Sequence, residues 1–179
     1  MNINVIPNNM EKYMAFMLGK HLVFLDSFQF MSSSLHKLVS NLPDKAFKYI
    51  SKAFKNEQFK LMKQKRVYPY DYMSSFDKFN EKQLPKKKDF CSVLNNEHIS
   101  DKDYTHAKNV WKTFKLKSMG EYHDLYLKSD ILLLSDVFEN FRKTCLQYYK
   151  LDPCQYFTSP GSSRDATLKT NVVINWHLL

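Results

Sequence analysis

The stretch SMGEYHDLYLKSDILLLSDVFENFRKTCLQYY, residues Ser118–Tyr149, decides the fold class. Ser118 and Glu121 stand at capping-box spacing, in which a serine and a glutamate satisfy the backbone donors left open at a helix start. From there Tyr122, Leu125, Tyr126, Leu133, Val137, Phe141, Cys145 and Tyr148 recur at helical spacing. The pattern predicts one helix near residues 118–149, roughly 45 Å long at 1.5 Å per residue, ending before Pro153. Four consecutive apolar residues, Ile131–Leu134, point in all directions around the axis, so the middle of this helix is expected to be buried on several sides.

Working outward, HLVFLDSF (His21–Phe28) reads as a buried strand, a short apolar run without Gly or Pro. Ser32–Ser34 offer caps for a helix carrying Leu35, Leu38, Val39 and Leu42, stopped by Pro43. Helical spacing resumes from Ala46 to Phe54. Ser100 and Asp103 open another helix bearing Tyr104, Ala107, Val110, Trp111 and Phe114, and Ser159-Pro160 suits the start of a last one. The fold class is therefore mostly α with a small β element.

Composition excludes several functions. Three scarce glycines form neither G-x-x-x-x-G-K nor G-x-G-x-x-G, so no phosphate loop is present. Cys91, Cys145 and Cys154 make no C-x-x-C, and the six histidines are scattered, which argues against a zinc enzyme. No apolar run approaches the roughly 18 residues that cross a bilayer. MNINVIPNNMEKY does not read as a secretory signal, and the expected setting is intracellular, with no membrane partner. Charge is concentrated. Between Lys45 and Lys88 thirteen cations face four acids, a net +9 that equals the charge of the whole chain. Interleaved rings, among them Phe47, Tyr49, Phe54, Tyr68, Tyr70 and Tyr72, offer stacking surfaces for bases beside cations for phosphates. The alternative is a solvated lysine face whose rings turn into the core.

Tyr126 and Asp130 lie one turn apart on one face of the long helix. An aspartate beside Ile131–Leu134 calls for a cation, either arginine or a metal. A neighbouring lysine or a backbone donor would satisfy it equally well.

From Tyr13 to about Lys169 the sequence resembles the 3′–5′ exonuclease region of protein-primed family B DNA polymerases. These occur in phages, linear organellar plasmids and Polinton/Maverick elements, and the Polinton-like branch is the most similar. The likeness rests on KHLVFLDSFQFMSSSLHKLVSNLP, VYPYDYM, SMGEYHDLYLKSDILLLSDVFENF and YYKLDPCQYFTSPG. It implies an incomplete RNase H-like α/β exonuclease domain over residues 1–170, with 171–179 an unmatched tail. It makes YLKSD the third exonuclease motif, with Asp130 a ligand to one of two Mg2+ or Mn2+ ions and Tyr126 orienting the attacking water. By the same resemblance Ser27 and Phe28 hold single-stranded DNA, Phe28 replacing the usual leucine, and Lys65 approaches the scissile phosphate. Arg66 stands where the family has glycine. Implied partners are DNA, as a single-stranded 3′ end or primer-template, and a terminal protein primer.

The family also places a D-x-E and a second Asp motif upstream of Tyr13, and polymerase motifs S-L-Y-P and D-T-D-S downstream. None stands in this sequence. One carboxylate does not hold two metals. The chain is accordingly expected to be a fragment of a DNA-directed DNA polymerase, clipped at both ends, without palm, fingers or thumb, of marginal stability and inactive alone. The alternative is a non-catalytic basic helical module that binds nucleic acid through Lys45–Lys88.

Overall fold

The computed structural model describes residues 3–7, 9, 13–19, 22–64, 66–91 and 98–171. The described chain is mostly helical with a small antiparallel sheet. Strands β1 (Ile3–Pro7), β2 (Tyr13–Leu18) and β3 (Leu22–Leu25) lie in the order β1-β2-β3. Helices α1 (Leu35–Ser40), α2 (Tyr49–Ala53), α3 (Asn56–Met62), α4 (Asp101–Thr113), α5 (Met119–Tyr149) and α6 (Ser159–Asn171) follow, with short 3-10 turns between them. Two compact units result. One comprises Met1–Ser34 with Phe138–Leu179, the other Leu35–Val137. No described helix is long and apolar enough to cross a membrane.

The anticipated helices form where their caps stand. Ser100 accepts the Asp103 N–H at 3.1 Å to start α4, and Ser118 accepts the Glu121 N–H at 3.2 Å at the head of α5. The Glu121 carboxylate reaches one residue further back than a capping box requires, to the Lys117 N–H at 2.7 Å. Past Tyr149, Lys150 takes a left-handed conformation with φ of 55° and stops the helix.

Two expectations are corrected. The strand expected over His21–Phe28 ends at Leu25, because Asp26 accepts the Phe28 N–H at 3.0 Å and turns the chain into a 3-10 helix, Ser27–Gln29. His21 lies outside the described residues, and Leu22, Val23 and Phe24 are exposed rather than buried. Strands β1 and β2 were not anticipated at all. The middle of α5 is not buried on several sides either. Ser129, Leu133, Asp136 and Val137 form its buried stripe, whereas Ile131 is 54% exposed and Leu134 36%. One covered face suffices for a helix whose neighbours lie on one side.

Within the Leu35–Val137 unit, Ile50, Met62 and Met119 are fully buried. The buried stripe of α5 contains an acid, Asp136, at 1% exposure. Its two oxygens accept the backbone N–H groups of Lys48, Tyr49 and Ile50 at 2.8, 2.8 and 3.1 Å. These are donors that the start of a helix leaves unsatisfied, so a carboxylate from α5 caps α2 across 86–88 residues of sequence.

In the other unit Phe30 meets Phe138 edge-on, with ring centroids 6.0 Å apart. The reversal from α5 to α6 is held by Asp152. It takes the Arg142 guanidinium at 3.0 and 2.7 Å and the Cys154 N–H at 3.0 Å. The Arg142 fork, helped by the Cys154 N–H, outweighs burial and holds the Asp152 carboxyl down at about 2.

Removing the Asp136 carboxylate by Asp136→Ala strands three backbone donors in the interior and is expected to cost about 3–5 kcal/mol, read from urea unfolding. A cost below about 1 kcal/mol would mean that water replaces the carboxylate at no penalty. For Asp152, the depressed value sets the sign: its stabilisation is complete above the ordinary aspartate range and disappears as pH falls towards about 2. The melting temperatures of wild type and Asp152→Asn should therefore differ by a constant amount above pH ~4 and converge towards pH ~2.

Candidate functional site

The segment Arg66–Tyr70 is laced to one face of α5. Arg66 pairs through Nη2 with Asp130 Oδ1. The Tyr122 hydroxyl donates to the Val67 carbonyl at 2.7 Å. Tyr68 Oη and His123 Nδ1 are 2.8 Å apart, and Tyr70 Oη and Tyr126 Oη 2.9 Å. Pro69, whose side chain has no polar atom, gives its carbonyl to the Met73 N–H instead. The spacing Tyr122, His123, Tyr126, Asp130 keeps all four partners on adjacent turns of one helical face, so an extended segment can run alongside them.

Arg66 is held from three sides. Its Nη1 donates to the Met62 carbonyl at the end of α3 at 2.7 Å. Its guanidinium carbon lies 5.8 Å from the centre of the Tyr126 ring, within cation–π range. Its side chain is 8% exposed and that of Asp130 31%. The pair lines a cavity of about 150 Å3 together with His36, Lys63, Gln64 and Tyr126. Burial, the hydrogen bond with Tyr70 and the nearby Asp130 all push the Tyr126 phenol upward, so it remains a neutral hydroxyl.

Behind Arg66 lies α4. His106 is buried, and its pKa is lowered, chiefly by burial and secondarily by the Arg66 charge, against an opposing pull from Asp103. Its Nε2 and the Arg66 Nε are buried without a hydrogen-bond partner among the described residues, and both side chains face a small void closed by Val110 and Leu125.

Tyr126 and Asp130, one turn apart on α5, line the same cavity. Asp130 is satisfied by an arginine, one of the two cations open to it. Lys65 lies outside the described residues, but its neighbour Arg66 reaches Asp130. Ser27 opens the 3-10 turn after β3, and Phe28 is 57% exposed there. Both belong to the other compact unit. Sequence reasoning missed Arg66 as the partner of Asp130, and missed His36 and Lys63 as cavity residues. The only signal was the alternation Arg66-x-Tyr68-x-Tyr70.

The donor set does not fit a divalent cation. Asp130 is already neutralised by Arg66, Tyr126 is a neutral phenol, and no group of three His, Cys, Asp or Glu gathers among the described residues. The basic segment is divided. Lys63 pairs with Asp44 at 2.6 Å, Lys78 with Glu81 at 2.7 Å and Lys87 with Asp101 at 2.7 Å, whereas Lys45, Lys52 and Lys55 are exposed. Its rings divide too: Phe47 and Phe54 are core residues, Tyr49 and Tyr70 are exposed. No family model, no curated protein and no solved structure matches the chain.

Asp130→Ala leaves a nearly buried guanidinium without its anion and should lower stability by about 1–3 kcal/mol in chemical denaturation. Arg66→Met with Asp130→Leu removes both charges and should recover most of that loss. A double-mutant cycle with no coupling would show that the pair contributes nothing.

Proposed function

We propose that this chain is part of the 3′–5′ exonuclease region of a protein-primed family B DNA polymerase, with a fold of RNase H-like descent, and that its own contribution is to hold single-stranded DNA. One observation carries the reading. The resemblance assigns two distant segments, KRVY around Lys65 and YLKSD around Asp130, to the same nuclease centre. In the fold Arg66 and Asp130 are ion-paired across 64 residues of sequence.

The cavity residues suit a strand of DNA. The Arg66 fork can exchange the Asp130 carboxylate for a phosphate, since both present paired oxygens to a planar guanidinium. Lys63 adds a second cation at the rim. Tyr70, 66% exposed and hydrogen-bonded to Tyr126, offers a ring face for a base. In the intact family enzyme, two divalent metals supply the hydrolysis. Asp130 alone is not such a centre, so strand cleavage by this chain requires carboxylates from outside the described site.

The second reading, a non-catalytic basic module, is favoured by the exposed lysines Lys45, Lys52 and Lys55 beside exposed Tyr49. It places the strand along α2 rather than at the Arg66 cavity.

Fluorescence anisotropy with a labelled oligothymidylate separates the two. Contact with about three phosphates implies that a fourfold rise in salt weakens binding roughly 20-fold. Tyr70→Ala should cost about 1–3 kcal/mol of affinity, and Arg66→Gln should weaken binding as well. Binding that ignores Tyr70 and Arg66 but is lost in the triple Ala variant of Lys45, Lys52 and Lys55 supports the basic module. Salt-independent binding, or none, defeats both.

A further inference from the structure

One face of the sheet is apolar from edge to edge and open. The register pairs Ile3 with Leu18 and Leu18 with Leu22, and in the next row Val5 with Phe16 and Phe16 with Phe24. Because side chains alternate across a strand, these six share one face. The Phe16 and Phe24 rings confirm it, stacked 4.3 Å apart and 9° from parallel. Five of the six are exposed, from 38% at Phe16 to 63% at Ile3. On the opposite face Ala15 is 2% exposed and Val23 45%, so that face is covered at Ala15 and accessible at Val23.

The three strands contain no charged residue. Among the described residues the first charge after β3 is Asp26, whose carboxylate accepts the Phe28 N–H and Gln29 Nε2. The open apolar area is on the order of 500 Å2, at the top of the range monomers leave exposed. Two such faces together bury about 1,000 Å2, which is where specific interfaces begin.

We infer that this sheet face is a homodimer interface, formed by the Ile3-Leu18-Leu22 and Val5-Phe16-Phe24 rows of two copies packed face to face. The flat Phe16–Phe24 stack spans the middle strand β2 and the edge strand β3, where a two-fold axis sets it against its own copy with no charge on the strands to repel. A partner of different chemistry has nothing polar here to recognise. Edge-to-edge pairing is disfavoured, because β3 has four residues and β1 ends in a bulge and a proline. Packing face to face leaves both edges as they are and covers only side chains.

Sedimentation equilibrium of the full chain, from about 1 to 100 µM, tests the interface. A single monomer–dimer equilibrium is expected. Phe24→Lys and Ile3→Lys should each raise its dissociation constant about 100-fold or more, since each buries a charge in the interface. Val23→Lys places the same charge on the neighbouring residue but on the opposite face, and should change it less than about threefold. Two substituted positions, on different strands, separate loss of the interface from loss of the sheet, and each variant is compared at wild-type helical content by circular dichroism. A chain that stays monomeric at about 100 µM overturns the inference. So do polydisperse aggregates, equal effects of Val23→Lys and Phe24→Lys, or monomers that sediment with neutral phosphatidylcholine vesicles.

Discussion

A carboxylate in the interior, accepting three backbone hydrogen bonds, is the constraint that the Leu35–Val137 unit is built around. Asp136 sits on the buried stripe of α5, among residues that otherwise gain by leaving water. Isolated there, its charge would cost several kcal/mol. It is tolerated because the start of α2 presents a fan of N–H groups that lack partners of their own. Each side satisfies the other, and the bond fixes α2 in rotation and height on the long helix. Val39, Phe47, Ile50 and Phe54 are buried in the same unit.

Once that registration is set, the Arg66–Tyr70 segment follows α5 over successive turns. Backbone-directed bonds, such as Tyr122 to the Val67 carbonyl, position the strand. Side-chain pairs, such as Tyr70 with Tyr126, set its order of contacts. The result is an aromatic and cationic surface whose one strong charge pair is internal. Arg66 is both structural and chemically available: the same fork that secures α5 now is the group best shaped to meet a phosphate.

Much of this was legible in the sequence where caps and periodicity spoke together. Ser100, Ser118 and Ser159 marked three helix starts, and the one-turn spacing of Tyr126 and Asp130 put both on one face of α5. The burial of α5 was misread because four apolar letters in a row carry no phase. Asp136, two residues past Leu134, looks like a solvent residue until its partners 86–88 positions away are known. Long-range pairs of this kind leave no local signature. Arg66 as the partner of Asp130 was hidden for the same reason. Strands β1 and β2 were missed because Asn4 and Pro7 interrupt the short run INVIP, and YMAFML, a short run with no strand-specific phase, reads equally well as helix.

Helix α5 serves two compact units in succession, one through Val137 and the other from Phe138 onward. Its backbone ladder crosses that boundary without a cap, a glycine or a proline. Exchange of either unit between genes by recombination at this junction would sever a continuous hydrogen-bonded rod, leaving four carbonyls open on one product and four amides on the other. The two units are thus compact separately yet share one continuous helix.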